Sequence, residues 1–136
     1  MSINAQIESS ILEALKADFP TFDVVSFPVD FENYSFTSPT GCMLVKFSQT
    51  NFNEQYTLWE VNQEGDTLFE IISGYRGLNN YGELHAPLQN LKNSLQGLEV
   101  LGRKIILIKE EFLKEINTDL FCKITCKIKT YQDEAL

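Results

Sequence analysis

The side chains with chemistry to offer are few and scattered. His85 is the single histidine, and no serine or cysteine stands in a local nucleophile setting such as GxSxG, so a hydrolytic triad lacks its parts. His85 reads instead as a surface residue in the first turn of a helix. Cys42, Cys122 and Cys126 are too few and too far apart for a metal, with only His85 to join them. They read as reduced core thiols, Cys122 and Cys126 sharing one face of a strand. Glu110 and Glu111 could act as paired acid and base, yet neighbours on a strand point to opposite faces, and a solvated turn accounts for them. In GYRGLNNYG the spacing of Gly74, Gly77 and Gly82 is not a dinucleotide fingerprint, and there is no P-loop lysine. No catalytic residue, metal or cofactor is expected, and the chain reads as a non-enzyme. What that turn does offer is Tyr75, Arg76, Asn79, Asn80 and Tyr81, side-chain types that serve in protein interfaces.

The turn lies inside the segment that organises the chain, residues 67–97. Leu68, Glu70 and Ile72 alternate with Phe69, Ile71 and Ser73, as in an interior strand with apolar residues on both faces. The three glycines end that pattern. From Glu83 the apolar positions become Leu84, Leu88, Leu91 and Leu95, one stripe of a helix. Gly97 stands at the C′ position.

Around this centre the other elements follow from periodicity. Ile3, Ile7, Ile11 and Leu15 predict an amphipathic first helix, capped by Ser2 or Asn4 and ended by residues 18–20. Residues 22–27, between Pro20 and Pro28, suit an edge strand. Residues 29–40 carry Phe31, Tyr34 and Phe36 in a loop that should lie down on the core, closing in a Pro–Gly turn. Residues 42–48 read as strand and 50–54 as a polar connection. Residues 56–61 should pair with residues 67–73 in a hairpin through residues 62–66. Four consecutive apolar residues in 103–108 predict a strand buried on both faces. Residues 109–119 are a helical turn or a long hairpin tip, with Phe112, Leu113 and Ile116 packing inward. In residues 120–131, Cys122, Ile124, Cys126 and Ile128 face one way and Lys123, Thr125, Lys127 and Lys129 the other, one dry face and one wet. Residues 131–136 should fray.

With 136 residues and 43% hydrophobic content, one domain is expected over residues 1–136. No stretch approaches about 18 uninterrupted apolar residues, and the N-terminus lacks signal-peptide features, so a cytoplasmic product without membrane contact is expected. The net charge of −8 is carried entirely by residues 1–66, while residues 67–136 are balanced. Nucleic-acid binding by the front half is therefore disfavoured. The element order describes an α+β domain, two helices on one face of a largely antiparallel or mixed sheet. If Trp59, Phe69 and Ile71 were left bare on the other face, the patch would call for association.

Short blocks resemble a known family: residues 34–41 (YSFTSPTG) leading into residues 42–47 (CMLVKF), the strand, arginine and glycine turn of residues 74–77, the leucine helix ending in Leu95-Gln96-Gly97, and residues 109–112 (KEEF) before a last strand. Together, from Ile3 to Thr130, they are similar to the tail terminators (tail completion proteins) of Mu-like prophages and phages. The resemblance implies a structural virion-tail protein made in the cytoplasm of a bacterial host. Such a protein forms a ring with itself, usually a hexamer, at the head-proximal end of a contractile tail. The ring stops tube and sheath polymerisation and offers a surface to a head-completion or connector protein, while DNA passes through without specific binding. Acids lining the lumen would repel that DNA, so Glu54→Gln with Glu64→Gln should strengthen its retention in a low-salt gel shift; unchanged retention would argue against it. The alternative is a small cytoplasmic protein-binding or regulatory module of immunity type, gripping one basic partner as a monomer or dimer.

Overall fold

The computed structural model describes residues 2–53 and 63–131. A first helix, α1 (Ile3–Asp18), buries Ile3, Ile7, Ile11 and Leu15, the stripe seen in the sequence, and Ser2 caps it by accepting from the Ala5 N–H at 3.1 Å. Strand β1 (Asp23–Ser26) runs parallel to β2 (Gly41–Phe52), which pairs antiparallel with β3 (Glu64–Tyr75). After a 3-10 turn and α2 (His85–Gln96) comes a minor hairpin of β4 (Glu99–Val100) and β5 (Arg103–Lys104). Strands β6 (Ile106–Ile116) and β7 (Asp119–Tyr131) then complete a mixed five-stranded sheet in the order β1-β2-β3-β7-β6. The architecture is α+β, with both helices on one face and β3 at the centre, as the patterning predicts.

The main core lies between helices and sheet, where Met43, Val45, Phe69, Ile71, Leu91, Leu95, Ile124 and Ile128 meet α1's stripe. Phe69 and Ile71 are 1% and 0% exposed; they do not form the bare face feared from the sequence, and Trp59 lies outside the described residues. The opposite face has two zones. At one end the loop after β1 lays Phe27, Phe31, Tyr34 and Phe36 over Cys42, Leu44, Ile72 and Phe121, as the three aromatics foretold. At the other end lie half-buried cross-strand ion pairs: Lys123 reaches Glu111 at 3.1 Å and Glu70 at 3.5 Å, and Lys129 reaches Glu64 at 2.5 Å. The wet face of β7 is the one its lysines predicted.

Several expectations give way. Residues 50–52 are strand, not connection, and the partner of β3 in the hairpin is β2; the proposed strand 56–61, like residues 132–136 of the tail, lies outside the described residues. Glu64, Gly65 and Asp66 belong to β3 rather than to a loop. Gly74 sits inside β3, where an added Cβ would stand 2.6 Å from the Phe121 ring and 3.0 Å from Cys42 Sγ. Gly97 closes α2 with an ordinary φ of −88°, so it is no left-handed cap. Residues 109–119 form the longer hairpin arm, turning at Asn117 and Thr118 with φ of 50° and 70°. The run at 105–108 is not doubly buried: Ile105 is 3% exposed but Ile106 and Ile108 are about half exposed, because β6 is a margin strand. Phe112 and Leu113 also face outward, and Ile116 alone of the three packs inward. Glu110 and Glu111 do point to opposite faces, Glu110 to Lys92 of α2 and Glu111 to Lys123, but within β6 rather than in a turn.

Candidate functional site

The turn singled out in the sequence opens at the C-terminal end of β3, where three remote segments converge. Arg76 follows the last strand residue, and its position is over-determined. Its guanidinium makes two hydrogen bonds to the Asp119 carboxylate, at 3.3 and 3.1 Å, donates to the carbonyls of Phe36 and Ser38, and lies 4.0 Å over the Phe36 ring. Asp119, paired in this way, holds the Arg76 pKa above its ordinary value. This geometry suits arginine's planar fork and not a lysine. Arg76 thus ties the loop after β1 and the start of β7 to the end of β3.

Asp23 on β1 anchors the same loop from the other side. It accepts from the Thr37 N–H at 2.8 Å, the Thr37 hydroxyl at 3.2 Å and the Ser38 N–H at 3.1 Å. Burial pushes this carboxyl up, but the Ser38 and Thr37 donors outweigh it and leave its pKa below the ordinary value. The Ser38 hydroxyl donates to the Thr21 carbonyl and accepts from the Thr40 and Gly41 N–H groups. Beside the clamp lies a cleft of about 450 Å³ lined by Phe31, Glu32, Tyr34, Arg76, Asn117 and Asp119. Its charged groups are spoken for, Glu32 by Lys114 at 3.2 Å and Asp119 by Arg76.

The five interface candidates therefore separate. Tyr75 is 2% exposed, packed edge-on to Phe22, and its phenol pKa is pushed up by burial; it is core and has no surface to offer. Arg76 is engaged within its own chain. Asn79, Asn80 and Tyr81 are exposed. Asn80 caps the 3-10 turn by accepting from the Glu83 N–H at 3.2 Å, and Asn79 donates to Glu83. Tyr81 is 57% exposed, donates to Glu115 at 3.1 Å and sets its ring 5.5 Å from that of Phe112 on β6. The surface that sequence reasoning missed is this extension onto β6, whose apolar residues were assigned to the interior.

His85 begins α2 and is exposed, where the sequence put it. The three cysteines are free and buried; burial pushes Cys42 and Cys126 up to about 12 and Cys122 up to about 11. Such thiols act as small apolar side chains, not nucleophiles. Among the described residues no group of three His, Cys, Asp or Glu is placed to hold a metal, and no helix is long and apolar enough to cross a membrane. Of the two acids assigned to a lumen, Glu64 is paired with Lys129 and Glu54 lies outside the described residues.

The fold is shared with a virion component. A chain in the solved virion of a native gene transfer agent particle superposes with a TM-score of 0.51 at 10% sequence identity, over 95% of this chain and 97% of that one. The profile of the family described as Gp37 protein matches residues 11–135, and the chain belongs to that family. No curated protein sequence matches. The fold match, to a chain of a virion, is in line with the virion-protein resemblance drawn from the sequence.

Proposed function

We propose that this chain is a structural protein of a phage-type virion, and within it a tail terminator. In that role copies form a ring at the head-proximal end of the tail, stop tube and sheath growth, and present a surface to the head-joining protein. The observation that carries the virion role is the end-to-end fold match with a chain of a gene transfer agent virion, together with Gp37 family membership. The finer role rests on the sequence resemblance to terminators and on a surface whose exposed apolar groups suit assembly rather than chemistry. Asn79, Asn80 and Tyr81 are the proposed contact residues of the turn, now joined by Phe112.

Deletion of the gene from its producing strain tests this. The expected result is overlong or unstable tails with unattached heads in electron micrographs. Tails of normal length carrying heads would overturn the terminator role.

A further inference from the structure

Nine large hydrophobic side chains are exposed among the described residues, and all nine fall along the two margins of the sheet. Val25, Val29, Phe47 and Phe52 border β1 and β2; Ile106, Ile108, Phe112 and Leu113 belong to β6, with Tyr81 leaning on Phe112. Both margins also carry unpaired backbone. β1 covers only residues 42–45 of β2, so from Lys46 to Phe52 that strand has no neighbour on its outer side among the described residues. Among the described residues β6 is the last strand on the other margin along its whole length. An open strand edge is a template for another strand.

We infer that β6 of one copy pairs with the open half of β2 in the next, so that the sheet continues from subunit to subunit. This contact rests on the ring proposed above and says how that ring is joined. Strand direction favours it. β2, β3, β7 and β6 alternate, so β6 runs opposite to β2, and two copies in the same orientation meet antiparallel. The contact joins unlike surfaces, and unlike surfaces related by a rotation about an axis along the strands close into a ring. Charge selects the same pairing. The open half of β2 carries Lys46 and no acid, whereas β6 carries Glu110, Glu111 and Glu115 against Lys109 and Lys114, so the unlike edges are complementary in sign and two β6 edges are not. The ladder of β6 shifts register around Ile108 and Leu113, and that of β2 around Ser48. Such bulges and the flanking charges of Lys109 and Glu110 guard an edge against indiscriminate pairing.

Cysteine cross-linking in a strain that makes the complete particle tests the contact. Two differently tagged copies, one S48C and one I108C, are co-expressed and treated with a short bismaleimide; the native thiols are buried and stay silent. The expected product joins the two tags, the double variant S48C/I108C gives a ladder of bands, and adding Leu113→Lys abolishes both. Cross-links between like cysteines only, or none, would overturn the contact. Tail length in the deletion strain separates the two ideas. Overlong tails without a mixed product leave the terminator role standing and overturn the edge contact. A mixed product alongside normal-length deletion tails supports the edge contact and overturns the terminator role.

Discussion

At the scale of single residues, Arg76 changes its meaning most. In the sequence it stands among Tyr, Asn and Gly, the composition of a contact loop, and Arg76→Glu would be expected to spare the fold and harm assembly. In the structure it is bound to Asp119, 43 positions away, and to carbonyls of the loop after β1. No local pattern announces a partner at that distance. Arg76→Glu would set a third carboxylate beside Asp119 and Asp23, so the melting temperature should fall, and Arg76→Lys should recover only part of the loss because it cannot reproduce the fork. Thermal melts of the two variants check this. An unchanged melt with lost tail assembly would return Arg76 to a contact role.

Among the elements, those with strict periodicity were legible and those set by pairing were not. The stripe of α1 and the alternation in β7 need only local spacing. In α2, Leu91 and Leu95 are fully buried as the stripe implies, whereas Leu88 is only partly so. The end of β2, residues 50–52, follows a polar stretch along an open margin, and so it resembles a connection. The apolar run at 105–108 resembles a core strand because composition does not say whether a neighbour exists. The β6–β7 turn was one of two alternatives in the sequence, and its geometry exposes a weakness. Thr118 adopts a φ of 70°, costly for a β-branched residue at a position that glycine fills best. Thr118→Gly should therefore stabilise the chain by about 1 kcal/mol in denaturant unfolding, the relief of left-handed strain exceeding the entropy of an added glycine. A loss of stability would show that the Thr118 side chain contributes contacts worth more than that strain.

For the molecule as a whole, the thiols couple stability to alkaline pH. Cys42 and Cys126 ionise near an ordinary 9.0 when unfolded but only at about 12 in the fold. The folded chain then holds protons that the unfolded chain releases. Their stabilising effect is complete below pH 9 and is lost as pH climbs from there toward 12. Each thiol contributes a slope of at most about 1.4 kcal/mol per pH unit in that window. Unfolding midpoints measured from pH 8 to 11 should fall accordingly, and Cys126→Ala should make the fall shallower; an identical slope in that variant would remove Cys126 as a cause.

Those same thiols bear on where the chain can travel. No disulfide braces the fold, and sulfur held as buried, protonated thiol reacts slowly with oxidants and exchange partners. In the virion role proposed above, a subunit folded in a reducing cell interior would have no bond to form or lose when its particle reached an oxidising medium. With its three thiols buried and unbridged, the architecture would be indifferent to that redox boundary.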